Sequence, residues 1–176
     1  MQCRALLDTC STAHFITERF VEKLSLPTSR CSVPVSAIVG MSTISKGSIN
    51  LSFHSMHDTF HKSQSFLSVP KISDRIPSEI LPRNLIKIPR NLQLADPQFH
   101  LLQPVDMIIG ACTTLSIMSI GQIPLTSDIC ELILQKTRLR WIAADKTKSS
   151  RARGSCKLTG LKELFAKFLL LEDATT

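Results

Sequence analysis

Residues 1–145 read as a mainly β domain with short helices, followed by a basic linker over 146–157 and a C-terminal amphipathic helix within 158–176. Three observations predict this. Short apolar runs closed by turn residues recur along the chain, and Ser48-Ile49-Asn50-Leu51-Ser52-Phe53 alternates polar and apolar side chains, the period of a half-buried strand. Helical periodicity is confined to a short segment after Thr17 and a longer one that brings Leu161, Leu164, Phe165, Phe168 and Leu169 to one face. Charge is also uneven. Between Lys136 and Lys157 eight basic residues meet one acid, Asp145, whereas elsewhere acids and bases cancel, so the net +7 belongs to one late segment.

In chain order, Ala5-Leu6-Leu7 is an apolar strand that runs into Asp8, Thr9, Cys10, Ser11, Thr12 and Ala13. A carboxylate at the end of an apolar strand is partly buried, so its surroundings can tune its pKa. Asp8 is therefore the candidate catalytic residue. Thr17 is an N-cap for a helix over 17–24 that presents Phe20, Val21 and Leu24 on one face and is ended by Leu26-Pro27. Cys31 to Val39 reads as a strand closed by Gly40, and a second strand follows Gly47. His54, His57 and His61 would share a face on a helix and suggest a metal site. Their flanks read as strands, which points His54 and His57 to opposite faces. No metal and no cofactor is expected.

Pro70 to Pro104 holds six prolines and no sustained period, which suits an irregular excursion tacked down by Leu81, Leu85, Ile86, Ile88, Leu92 and Leu94. Val105-Asp106-Met107-Ile108-Ile109-Gly110-Ala111 is a second buried strand, and its glycine suits close approach of two chain segments. Leu132 to Ala143 reads as closing strands. No apolar run approaches the roughly 18 residues that cross a bilayer, and the N-terminus lacks the apolar core of a signal peptide. These features imply no membrane association and a cytoplasmic location. Six scattered cysteines without a Cys-x-x-Cys pair read as reduced thiols. The basic stretch Lys136–Lys157 could bind nucleic acid weakly and salt-sensitively. Its one aromatic, Trp141, belongs to a strand, so solvated linker is the simpler reading.

The stretch around Asp8 resembles the active-site loop of retroviral-type aspartic peptidases, hydrophobic-hydrophobic-Asp-Thr/Ser-Gly-Ser/Ala. It is most similar to the peptidase domain of BEL/Pao-type retrotransposon polyproteins, whose loop is likewise followed by a Phe-Ile-Thr-like segment and a helix. Leu92-Gln93-Leu94-Ala95-Asp96-Pro97, Val105 to Ala111 and Thr137 to Trp141 carry the resemblance onward. It implies a retropepsin-like closed β-barrel and an aspartic endopeptidase that processes a peptide or polyprotein substrate. Asp8 is the catalytic acid, with Thr9, Cys10 and Ser11 as its loop. Gly40, Met41 and Ser42 are the flap candidates, and Ile108, Ile109 and Gly110 pack against the loop. Asp106 is the acid of the family's second run and not a second catalytic acid. One Asp8 per chain requires a homodimer, with the position-10 N–H helping to hold the carboxylate and Thr9 bonding across the two loops. The C-terminal helix resembles the start of the segment leading to a reverse transcriptase that this fragment lacks.

Four departures replace family glycines, at Cys10, Cys112, Arg140 and Asp145. They read as decay of a transposon copy. Cys10 in particular is expected to strain the loop by about 1–3 kcal/mol and to press on a partner loop or substrate. The family's strand upstream of the Asp8 strand is also missing, which is expected to leave a raw sheet edge. The function expected from sequence thus divides between an aspartic endopeptidase and a catalytically dead β-domain that binds peptides or dimerises.

Overall fold

A computed structural model describes residues 1–36, 42–126 and 130–147. The described chain is mainly β, in two sheets. The first has six strands: β1 (Ala5–Leu7), β2 (Phe15–Thr17), β3 (Ser29–Ser36), β4 (Ser42–His54), β5 (His61–Val69) and β6 (Met107–Ile109), in the order β1-β6-β2-β5-β4-β3. The second is a three-stranded meander of β7 (Met118–Thr126), β8 (Cys130–Thr137) and β9 (Arg140–Thr147). No closed barrel forms among the described residues, because each sheet ends in edge strands. β9 runs two residues into the stretch expected as linker. The expected helix within 158–176, the rest of the linker and the flap candidates Gly40 and Met41 lie outside the described residues.

Alternation organises the first sheet as the sequence predicts. Along β4, Ser45, Gly47 and Ile49 are buried while Ile44, Lys46, Asn50 and Ser52 are exposed. This inner face joins Phe66 of β5, Ile16 of β2, and Met107 and Ile109 of β6 in one core. Helix α1 (Glu18–Leu24) adds Phe20, with Val21 and Leu24 packed beside it. Its N-cap is Thr17, whose hydroxyl accepts the Phe20 N–H at 3.3 Å, and Glu18 in the first turn suits the helix dipole. A left-handed Ser25 ends it, at φ 52°.

The proline-rich excursion supplies a second core rather than mere surface. Leu81, Ile86 and Leu94 are buried against Leu132 and Leu134 of β8, with Ile88, Leu92 and Trp141 beside them. Leu85 is the exception: it sits in a single 3-10 turn, Arg83–Leu85, and stays 45% exposed. Backbone bonds fix this segment to β9, Ala95 N–H to Trp141 O at 2.8 Å and Trp141 N–H to Gln93 O at 3.1 Å. One side chain, Arg4, gathers its other end. The guanidinium donates to the carbonyls of Ile76, Gln98 and Leu101 at 2.7–2.9 Å and pairs with Asp96 at 2.7 Å.

Candidate functional site

The site's geometry follows from where β6 lies. β1 and β2 are consecutive in sequence but not neighbours in the sheet, because β6 runs between them, parallel to β1 and antiparallel to β2. The connection 8–14 must therefore arch over the end of β6. Leu6 pairs with Ile108 and Leu7 with Ile109, and Phe15 meets Ile108 from the other side. The chain leaves β6 directly beneath the arch and enters helix α2 (Ala111–Ile117).

Gly110 makes that exit possible. A Cβ there would fall 2.5 Å from Ala13 O and 2.9 Å from Ser11 O, both backbone atoms of the arch. Its φ of −69° is ordinary, so close approach rather than a left-handed backbone demands glycine here. The arch is bonded to the turn below it at several points. Asp8 N–H donates to Ile109 O at 3.0 Å, and Ala111 N–H donates to Ser11 O at 2.8 Å. Thr114, fully buried, closes the turn by donating its hydroxyl to Ile109 O at 2.7 Å.

On this frame Asp8 is half-buried, and its Oδ1 accepts the Cys10 N–H at 2.8 Å. The expected support from the backbone at position 10 is therefore present. Thr9 and Cys10 are exposed, and Ser11 turns its hydroxyl to Ala13 O at 2.8 Å. Ile109 is buried, and Ile108 is half-buried between β1 and β2. Ser42 is the first residue of β4 and pairs with Ser36 of β3. The expected strain at Cys10 is absent: among the described residues the non-glycine residues with positive φ are Ser25 and Arg140. Within one chain Cys10 has no left-handed backbone, and its side chain is exposed.

Of the four positions where the resemblance leads one to expect glycine, Arg140 has a backbone that would favour it. It closes the two-residue turn between β8 and β9 at φ 87°, the left-handed region that glycine fills without cost. Thr137 holds the turn, its hydroxyl donating to Arg140 O at 2.7 Å and accepting from Leu139 N–H at 3.0 Å. Cys112 stands exposed on α2, where glycine has no conformational advantage. Asp145 lies in β9, and its side chain is outside the described residues.

Other sequence candidates divide by role. Asp106 is a structural clamp: Oδ2 accepts the Arg4 N–H at 3.1 Å and Oδ1 pairs with Arg19 at 2.9 Å, tying β1 to α1. His54 and His61 face each other across paired strands, and His57 in the turn bonds Leu94 O through Nε2 at 3.0 Å. His54 and His61 thus sit in the hairpin, and His57 ties its turn to the proline-rich excursion. Of the basic stretch, Arg138 lies 4.2 Å over the Phe60 ring, and Arg140 donates to His57 O at 3.2 Å with Asp58 at 3.6 Å. Phe60 is an aromatic partner that lies far from the basic stretch in sequence.

His14 is a residue that the sequence patterns above do not single out. Its Nδ1 accepts the Gly110 N–H at 2.9 Å, its carbonyl accepts the Leu67 N–H at 2.9 Å, and its ring lies 5.4 Å from Phe66. Burial, with Lys62 adding to it, pulls its pKa below the usual 6.5, against a smaller opposite pull from Gln64. A histidine immediately before a buried strand was the only hint available. No helix among the described residues is long and apolar enough to cross a membrane. The chain matches no family model, no curated protein and no solved structure.

Proposed function

We propose that this chain is a retropepsin-like aspartic endopeptidase domain that acts on peptide or polyprotein substrate as a homodimer, with Asp8 supplied once by each copy. The observation that carries the reading is the arch. A carboxylate ends β1, its Oδ1 is held by the N–H two residues on, and its loop is seated on a glycine turn leaving the strand between β1 and β2. Two such carboxylates about 3 Å apart share one proton, because both cannot ionise at that distance. The ionised one takes a proton from the attacking water while the protonated one polarises the scissile carbonyl. In this reading Thr9, exposed beside Asp8, bonds across the two loops. A retropepsin-like closed β-barrel is part of the same proposal.

The second reading, a dead β-domain that dimerises or binds peptide, is favoured by Cys10, whose exposed side chain stands where the partner loop or substrate would approach. One experiment separates them. The unmodified chain, Cys10→Gly and Asp8→Asn are incubated with a mixed peptide library from mildly acid to neutral pH, and each is sized. Cleavage by either of the first two, abolished in Asp8→Asn, establishes the peptidase. If only Cys10→Gly cleaves, this copy is a disabled peptidase. A dimer that cleaves in no form supports the dead module. A monomer throughout sinks the peptidase, and a monomer that also retains no peptide from the library sinks both readings.

A further inference from the structure

We propose that His14 is a positioning residue: its unprotonated Nδ1 latches the Asp8 arch onto the β6–α2 turn, and protonation releases the latch. The catalytic consequence rests on the reading of Asp8 given above, whereas the latch itself does not.

The bond from Gly110 N–H to His14 Nδ1, at 2.9 Å, joins positions 96 apart in sequence. It requires a lone pair on Nδ1, so the proton of the neutral ring is on Nε2. In the imidazolium both ring nitrogens carry hydrogen, and Nδ1–H would face the Gly110 N–H donor head-on. Gly110 has little room to retreat, because even a methyl group on its α-carbon would meet the carbonyls of Ser11 and Ala13. The two donors therefore separate by lifting the arch, and with it Asp8, from the turn.

The surroundings favour the neutral ring. From β5, Lys62 adds positive charge and Phe66 presents an apolar ring, while Gln64, which also donates to Thr113 of α2 at 2.8 Å, pulls weakly the other way. From the β6–α2 side the group facing the ring is the Gly110 N–H. Among the described residues no carboxylate forms an ion pair with His14. Because the folded chain holds this proton less tightly than the unfolded chain, the latch is fully closed above pH 6.5. It weakens as pH falls through the lowered pKa. A peptidase built on this loop would thus lose its geometry on the acid side, where the shared proton of a carboxylate pair is otherwise easiest to keep.

The test follows the Gly110 amide by NMR from about pH 4 to about pH 8 in the unmodified chain, His14→Asn and His14→Leu. Asn places a non-titrating oxygen where Nδ1 stands. The Gly110 resonance should move in one transition centred below 6.5, with amide-exchange protection falling about tenfold or more on the acid side. In His14→Asn the transition should vanish and protection persist. His14→Leu should lack protection at every pH if it folds, and its failure to fold leaves the Asn comparison intact. A Gly110 signal that stays still across the range, or titrates identically in His14→Asn, overturns the latch. If Asp8→Asn fails to affect any cleavage while the transition stands, the peptidase reading falls and the latch survives.

Discussion

Positions 10 and 140 both carry a side chain where resemblance to the peptidase family leads one to expect glycine, and the backbone treats them oppositely. At Cys10 the chain has an ordinary φ, the side chain is exposed, and the N–H still reaches Asp8. At Arg140 the same kind of replacement holds an L-residue at φ 87° in a tight turn. Gly110 stands apart from both, with an ordinary φ and no room for a methyl group. A glycine can thus be required by conformation, by space, or only by what approaches from outside. Neighbouring chain segments decide which.

The largest effect should come from space. Gly110→Ala forces a Cβ against two backbone carbonyls that cannot rotate away, so it should cost about 3 kcal/mol, read as a drop in the urea midpoint. A cost near zero would show that the arch can lift freely. Asp106→Ala should follow at about 2 kcal/mol, because it removes a charged acceptor from the Arg4 N–H and a partner from Arg19. Arg140→Gly should stabilise by about 1 kcal/mol and raise Tm by about 3 °C, since relief of the left-handed backbone outweighs the half-exposed contact to Asp58. Cys10→Gly should change stability by less than about 0.5 kcal/mol. Equal gains at 10 and 140 would erase the distinction drawn between them.

Much of the first sheet was legible because period-two alternation and an apolar helix face are written locally: Ile49, Leu51 and Phe53 along β4, and Phe20, Val21 and Leu24 on α1. The contact of the Asp8 arch with Ile109 and Gly110 was expected from resemblance, and the structure brings those residues together. What escaped was set by partners distant in sequence. Nothing near Leu94 announces burial against β8, and nothing near His14 announces the Gly110 N–H. The grip of Asp106 on Arg4 and Arg19 requires three segments to be folded at once. The strain expected at Cys10 failed for a local reason, since the turn reaches Asp8 without a left-handed residue.

The insertion of β6 between β1 and β2 also has a consequence in time. While the ribosome is still making the proline-rich excursion, β1 lacks the neighbour it pairs with among the described residues, β6. The Asp8 connection then has nothing to arch over, and His14 has no amide to accept. Hairpin β4–β5 can form early from local contacts, whereas the arch waits for Met107–Ile109 to thread into place, a closure of high contact order. The residues nearest the N-terminus are thus among the last to acquire their native neighbours, and a nascent chain halted before Met107 would carry Asp8 on an unassembled strand.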